Sequence, residues 1–181
     1  MSCDLLPTDR PGPHYQGDVR DIIGDGWDLL IAHPPCTYLS VSGLHWNKRN
    51  PTRAALTEDA LDFVRFLMDA PCPKIAIENP VSCVSSRIRK PDQIIQPYWF
   101  GADASKKTCL WLSGLKPLAV PDKTLWFPPR IVQDPRTGKR VERWANQTDS
   151  GQNRLGPSED RWKVRSETYE GIAKAFAENW G

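Results

Sequence analysis

The chain has 181 residues, of which 39% are hydrophobic and 25% charged, and its formal net charge is +2. This length suits one globular domain, and so small a charge does not by itself indicate a nucleic-acid-binding protein. No apolar run approaches the roughly 20 residues of a membrane span, and the irregularly spaced cysteines follow no secretion signal, so we expect reduced thiols in a soluble intracellular protein.

The first part of the chain predicts an irregular entry followed by a short strand. Residues 1–13 contain three prolines, and residues 17–19 begin a connector toward Trp27. Residues 29–32 are apolar, which suits a buried parallel strand that ends at Pro34 and Pro35. Cys36 then lies just beyond the carboxyl end of this strand, where open α/β sheets place their ligand sites. On position alone, a nucleophilic cysteine and a buried structural cysteine are equally supported.

The middle of the chain predicts an α/β unit. Apolar residues repeat at helical spacing from Thr52 or Thr57 until Pro71 and Pro73 interrupt the pattern. Residues 74–78 predict the next strand and residues 108–112 a third. Strand, crossover helix and strand in this order favour a right-handed unit and a Rossmann-like sheet. A closing amphipathic helix is predicted over residues 172–180.

Residues 118–157 predict a long, partly ordered insertion, because they contain many turn formers and little periodicity. Basic residues and tryptophans concentrate in the last third of the chain. Such a combination binds phosphates and stacks on bases, or else forms a solvated loop around buried tryptophans. These residues are Arg130, Arg136, Lys139, Arg140, Arg143, Arg154, Arg161, Lys163 and Arg165, with Trp126, Trp144 and Trp162.

Metal binding has little support in the sequence. The candidate ligands are His33, Cys36, Cys72 and Cys83. Because they form no CxxC pair, the spacing typical of zinc sites is missing and we predict no metal site.

Three segments resemble the DNA cytosine C5 methyltransferases, and they follow the order of that family's motifs. HPPCT at 33–37 is similar to the Gly-Pro-Pro-Cys-Gln turn that carries the nucleophile of the family. IAIENP at 75–80 resembles the strand that ends in Glu-Asn-Val. SKKT at 105–108, which leads into CLWL, resembles the Gln-x-Arg-x-Arg segment.

The resemblance is closer to short phage and prophage proteins identified as DNA cytosine methyltransferases, and it covers most of the chain. It implies a Rossmann-like catalytic core formed by residues 1–117 and 158–181, in the cytoplasm of a bacterial host cell. It also implies that residues 118–157 are a basic, turn-rich insertion that contacts the substrate, within one domain. The shared segments are CDLLPTDRPGPHYQGDV, HPPCTYLS, QPYWFG, KKTCLWLSGL, NQTDSGQNRLGPS and DRWKVRSETYEGIAKAFAENWG.

The resemblance implies a role for each matching residue. Cys36 is expected to attack C6 of cytosine and Glu78 to bind the N3 and amino edge of the base. Lys106 and Thr108 stand where the family has arginines and are expected to hold the loop and the base. S-adenosylmethionine is the expected methyl donor. The other implied contacts are Asp4, Asp18 and Pro34 to the cofactor, and Pro35, Ser40, Asn79, Lys107, Gln152, Asn153 and Arg154 to DNA or a cytosine nucleotide.

The start of the sequence departs from the family pattern. The family begins with a strand and a Phe-x-Gly-x-Gly turn beside the cofactor, whereas this sequence opens on CDLL, which matches the end of the family's second strand. The first strand and helix of the sheet, and the methionine half of the cofactor site, therefore have no counterpart. A partner chain that supplied them would make the active form a dimer.

Three hypotheses follow from the sequence. The chain is a cytosine C5 methyltransferase, or a nucleic-acid-binding relative without catalysis, or an enzyme that deaminates or hydroxymethylates cytosine with a different donor. Binding of S-adenosylmethionine distinguishes the first hypothesis from the other two.

Overall fold

The computed structural model describes residues 1–41, 43–158 and 165–181 and has a mixed α/β fold. Single-turn 3-10 helices lie at Val19–Asp21, Leu44–Lys48, Pro97–Phe100 and Lys123–Leu125. The strands are β1 (Ser2–Asp4), β2 (His14–Gln16), β3 (Leu30–Ala32), β4 (Ile75–Pro80), β5 (Gln93–Ile95), β6 (Thr108–Ser113), β7 (Arg130–Gln133) and β8 (Arg140–Arg143). The helices are α1 (Pro51–Met68), α2 (Val84–Arg87) and α3 (Glu170–Trp180).

The main sheet has four strands in the order β3, β4, β6, β5. β3 and β4 are parallel neighbours joined through α1, so the predicted strand, crossover helix and strand are confirmed. β6 runs antiparallel to both β4 and β5. Only a 3-10 turn lies between β5 and β6, and without a crossover helix the chain returns antiparallel. The sheet is therefore mixed.

Two further strand pairs lie outside the main sheet. β1 and β2 pair in parallel. β1 lies within residues 1–13, which were predicted to be irregular, and β2 lies between those residues and the predicted connector. Strands of three residues are too short to show the alternation that identifies a strand in a sequence. β7 and β8 form an antiparallel hairpin within residues 118–157, which the sequence also did not predict.

The main sheet is covered on both faces. Alternate residues of a strand point to opposite faces, so Ile75, Ile77 and Asn79 of β4 share one face and Ala76 and Glu78 the other. Ile75 and Ile77 belong to the core that includes three buried residues of α1, namely Leu61, Val64 and Leu67. Ala76 belongs to the second core, with Ile172, Ala175, Phe176 and Trp180 of α3. Glu78 and Asn79 therefore diverge to different sides of the sheet.

Local sequence explains where the two long helices begin. The side chain of Asn50 accepts a hydrogen bond from the Arg53 amide, and Pro51 occupies the first turn, where its missing N–H costs nothing. α1 starts slightly before the predicted Thr52 and ends before Pro71. α3 matches the predicted closing helix, and its Trp180 indole donates to the Lys116 carbonyl at 2.9 Å.

Gly171, in the first turn of α3, packs directly against the backbone of Phe100. A Cβ at this position would overlap the Phe100 carbonyl oxygen. Helix propensity favours alanine over glycine by about 1 kcal/mol, but overpacking against backbone costs roughly 1–3 kcal/mol. We therefore expect Gly171→Ala to lower the free energy of unfolding in urea. Gly24→Ala is the matched control, because nothing lies within 4 Å of a Cβ at Gly24. Equal stability of the two variants would contradict this packing.

The insertion over residues 118–157 is held together by aromatic stacking and ion pairs. Tyr98 stacks on the buried Trp144 at a centroid distance of 4.0 Å, and Trp99 stacks on Trp126 at 5.3 Å. Arg130 pairs with Asp149 at 2.7 Å, and both Arg136 and Arg143 pair with Asp134. These three arginines and two tryptophans therefore stabilise the insertion. Arg161, Trp162 and Lys163 of the predicted basic and aromatic set lie outside the described residues.

None of the helices among the described residues is both long enough and apolar enough to cross a membrane.

Candidate functional site

The turns after β3 and β4 are joined by backbone and side-chain contacts. The Asn79 side-chain amide donates to the Pro34 carbonyl at 2.8 Å, and this bond is buried. The Cys83 amide donates to the Leu39 carbonyl at 2.9 Å, and an isolated β-bridge pairs Ser40 with Ser82. The Pro-Pro-Cys and Glu-Asn-Pro segments, separated by about 40 residues in sequence, thus form one unit at the ends of two parallel strands.

Cys36 is a free, partly exposed thiol at the start of a single turn after β3. Its carbonyl accepts hydrogen bonds from the Leu39 and Ser40 amides at 3.1 and 2.9 Å. α1 holds the rest of the turn, since the Arg53 guanidinium donates to the Thr37 carbonyl and the Thr57 hydroxyl to the Tyr38 carbonyl. The thiol is thus not sealed in the core, unlike Cys83 and Cys109, which are buried.

Glu78 lies at the end of β4 with its side chain only 13% exposed. Its Oε2 is 3.2 Å from Nδ1 of His33, the residue that precedes Pro34. Burial by itself raises the pKa of Glu78, but the His33 hydrogen bond, the charge of Lys106 and the Thr108 hydroxyl outweigh it and hold the pKa below its ordinary value of 4.5. Glu78 is therefore a carboxylate near neutral pH, within a group of polar side chains from three segments.

The segment with Lys106 and Thr108 reaches Glu78 because other loops hold its backbone. The Gln96 side-chain oxygen accepts from the Lys106 amide at 3.0 Å. Thr108 is buried, and its hydroxyl oxygen lies 3.1 Å from the Lys106 carbonyl as well as next to Glu78. Lys106 also donates from Nζ to the Arg165 carbonyl at 3.2 Å. Lys107, by contrast, is exposed beside this segment.

The insertion docks on the same segment through Asn146. Its side chain accepts from the Ser105 amide at 2.9 Å and donates to the Ser105 carbonyl at 3.0 Å. The Asp103 carboxylate accepts from the Ala145 amide at 2.8 Å. These bonds place the loop that follows β8 beside Lys106.

Gln152, Asn153 and Arg154 lie on the exposed surface of that loop. Asn153 and Arg154 line a shallow depression with Thr148 and Ser150. Part of their bonding capacity is used locally: the Asn153 side chain accepts from the Leu155 amide, and Nε of Arg154 donates to the Gln147 carbonyl. Arg154 is exposed, so its guanidinium can also donate to an anionic ligand.

A groove of about 670 Å³ runs between β1 and β3, and it contains all three predicted cofactor residues. Asp4 and Asp18 lie on one wall and Pro34 on the other, with Val19 and Phe63 among the apolar lining residues. Asp18 caps the following 3-10 turn: the Arg20 amide and guanidinium bind its carboxylate, and the amide bond is the larger cause of its lowered pKa. The groove is thus lined by both carboxylates and apolar side chains.

The structure thus brings most of the predicted site residues into two adjoining places. Glu78, Lys106 and Thr108 form a polar group on one face of the sheet. The turn with Pro35, Cys36 and Ser40 is joined to β4 through Asn79 on the other face, and we call this group and this turn together the polar cleft. Asp4, Asp18 and Pro34 lie in the groove. Sequence reasoning considered His33 only as a weakly supported metal ligand, and it assigned no role to Gln96 or Arg53. The available signal for His33 and Gln96 was their position in the shared segments HPPCTYLS and QPYWFG.

The Asn79 bond to Pro34 leads to a prediction about the whole site. Asn79 is 1% exposed, and removing its amide leaves the buried Pro34 carbonyl without its donor. We expect Asn79→Ala to lower the free energy of unfolding by about 1–3 kcal/mol, measured in urea.

Asn179→Ala is the matched control for that variant. The Asn179 side chain also donates to a backbone carbonyl, that of Ala175 at 2.8 Å, but it is exposed at the end of α3. Its loss is expected to cost well under 1 kcal/mol and to leave the site intact. An equal loss of unfolding free energy in the two variants would show that the buried Asn79 bond stabilises the fold no more than the exposed Asn179 bond does.

No group of three or more histidine, cysteine, aspartate or glutamate side chains suited to a metal ion occurs within residues 1–41, 43–158 and 165–181. Cys72, one of the weak zinc candidates, donates instead to the Trp27 carbonyl at 3.1 Å.

Comparisons of the chain with family models, with curated proteins and with solved structures found no match. The resemblance to cytosine C5 methyltransferases therefore rests on the sequence motifs alone.

Proposed function

We propose that this chain is a cytosine C5 methyltransferase that acts on DNA, with Cys36 as its nucleophile. The observation that carries the proposal is the buried bond between Asn79 and Pro34, because it joins the cysteine turn to the strand end that bears Glu78. A thiol and a carboxylate at the ends of adjacent parallel strands, with Lys106 and Thr108 beside the carboxylate, make up the groups that C5 chemistry on cytosine needs.

The chemistry assigns a separate task to each side chain. The Cys36 thiolate forms a bond to C6 of cytosine, which breaks the C5–C6 double bond and makes C5 nucleophilic. Glu78 binds the N3 and amino edge, where negative charge develops, and Lys106 and Thr108 orient Glu78. After the methyl group is on C5, loss of the C5 proton restores the double bond and expels the Cys36 sulfur.

S-adenosylmethionine is the proposed cofactor, and when bound it supplies the methyl group. Asp4 would hold the ribose, Asp18 would lie near the adenine, and Pro34 would form the wall toward Cys36. The parallel pairing of β3 with β4, joined through α1, supports a Rossmann-like arrangement.

DNA is the proposed substrate because the insertion docks next to Lys106. A base can reach a thiol in this cleft only if it leaves the stack, so the flanking backbone has to be held from outside the cleft. Arg154, Gln152 and Asn153 on the insertion and Lys107 beside the cleft are exposed donors suited to phosphates and base edges. So short an insertion would give limited sequence specificity.

The test is methyl transfer from labelled S-adenosylmethionine to cytosine-containing single- and double-stranded DNA, with the product digested and analysed for 5-methylcytosine. We expect 5-methylcytosine to form. DNA binding without any reaction would replace the proposal by a nucleic-acid-binding function. Reaction at cytosine without methyl transfer would replace it by an enzyme that uses another donor, for deamination or hydroxymethylation.

A further inference from the structure

His33 contacts Glu78 and also lines the groove between β1 and β3. Its Nδ1 lies 3.2 Å from Oε2 of Glu78, and its side chain is 39% exposed, three times the exposed fraction of Glu78. The turn of the C5 methyltransferases has glycine at this position. The imidazole is therefore absent from the Gly-Pro-Pro-Cys-Gln turn, but it belongs to the HPPCTYLS segment that this chain shares with the short phage and prophage proteins.

Because Glu78 is a carboxylate, the reaction needs another proton donor, and the His33 imidazole can be that donor. Attack of Cys36 at C6 pushes electron density to N3, where a proton would stabilise the adduct. Lys106, Thr108 and His33 favour the carboxylate form of Glu78 over the acid, so Glu78 carries no proton of its own to give. A donor that can recharge Glu78 has to contact its carboxylate, as Nδ1 of His33 does.

Resting on the proposed cytosine chemistry, we propose that His33 supplies the proton that Glu78 delivers to N3 of the base. One proton moves from Nδ1 of the imidazolium to the Glu78 carboxylate and from that carboxyl group to N3 as the bond from Cys36 to C6 forms. When that bond breaks, N3 loses the proton and it returns through Glu78 to Nδ1. His33 acts through Glu78 and is a positioning residue.

Charged and titratable groups lie around both Glu78 and His33. Around Glu78 they are Lys106 from the loop before β6 and the thiol of Cys109 on β6. Around His33 the groove presents Asp4 from β1 and Asp18 with Arg20 from the segment after β2. A reaction that draws its proton from a protonated imidazole slows as pH rises.

The experiment measures exchange of the cytosine C5 hydrogen for deuterium in DNA, which follows thiol attack at C6 and needs no methyl donor. His33→Asn is the informative variant, because its side-chain amide can take the place of Nδ1 as a donor to Glu78 and cannot pass on a proton. We expect its exchange rate to fall about 100-fold, and the decline of the rate with rising pH to disappear. His14→Asn, in the β1–β2 pair, is the control and should match the wild type.

A double variant separates this role from a merely structural one. If His33 acts through Glu78, His33→Asn has no further effect in a Glu78→Gln background, where the relay is already broken. Wild-type rate and pH profile in His33→Asn, with exchange present in the wild type, would overturn the relay and leave the cytosine chemistry standing. Absence of exchange in the wild type at every pH would overturn both.

Discussion

Replacing Cys36 with serine is expected to lower DNA methylation by on the order of 10⁴-fold or more, because a serine hydroxyl is a far weaker nucleophile than a thiolate. Cys36 is partly exposed and the structure assigns its thiol no packing role comparable to that of the buried Cys83 and Cys109. The variant should therefore fold as the wild type does. Initial rates of label transfer to DNA and urea unfolding curves measure the two quantities.

Cys72→Ser is the matched control for the nucleophile. Cys72 is also partly exposed, and its sulfur donates to the Trp27 and Lys74 carbonyls, a task that a serine hydroxyl can perform. This variant should keep the wild-type rate within about twofold, as expected for a change outside the reacting groups. A Cys36→Ser protein that retains full activity would remove Cys36 from the mechanism.

Glu78→Gln is expected to reduce methylation by about 10²–10³-fold, the usual effect of removing a group that stabilises developing charge. The amide keeps the shape of the side chain but cannot accept and return a proton. Glu58→Gln is the control, because Glu58 is an exposed glutamate on α1 that pairs with Arg87 at 2.9 Å, outside the cleft. Steady-state kinetics should show the loss in kcat for Glu78→Gln and no change for Glu58→Gln.

The same variant also changes how stability depends on pH. The folded-state pKa of Glu78 lies below its ordinary value of 4.5, so its carboxylate stabilises the fold above that pH. This contribution is lost as pH falls through the folded-state pKa. The difference in unfolding free energy between wild type and Glu78→Gln should therefore shrink below pH 4.5. A difference that grows on acidification would mean that the surroundings of Glu78 favour its neutral form.

The long elements of the fold could be predicted from the sequence because their patterns are strong. α1, β4, β6 and α3 all carry continuous or periodic apolar residues, and each was predicted within a few residues of its observed ends. β1, β2 and β5 have three residues each, too few to show a period, and the hairpin of β7 and β8 lies among polar turn formers. The antiparallel direction of β6 depends on the absence of a crossover helix before it, which strand patterns do not reveal.

The residues of the candidate site that belong to sequence motifs could be predicted from the sequence. Cys36, Glu78 and Asn79 follow strand ends, and the structure joins those ends through the Asn79 bond to Pro34. His33 and Asn146 could not be assigned in advance, because their importance lies in contacts across 45 and 41 residues of sequence. No local pattern announces a contact at such a distance. Only the folded chain shows that His33 faces Glu78.

For Arg130, Arg136 and Arg143, the sequence could not show that their charges are paired within the insertion. In sequence they belong to a basic, tryptophan-containing region that suits nucleic acid as well as it suits a solvated loop. In the structure they pair with Asp149 and Asp134 and thereby hold the insertion together. A carboxylate that lies near an arginine in the fold can be far from it in the sequence. Counting basic residues in the sequence therefore overstates the number of cations that are available to a ligand.

Deuterium exchange at cytosine C5 tests the central claim most directly, because it reports attack by Cys36 on C6 without requiring a methyl donor. The wild-type chain and Cys36→Ser are incubated with cytosine-containing DNA in deuterated water, and the recovered nucleosides are analysed by mass spectrometry. We predict one deuterium on C5 of cytosine with the wild type and none with Cys36→Ser. Equal exchange by both proteins, or exchange by neither, would contradict the assignment of Cys36 as the nucleophile.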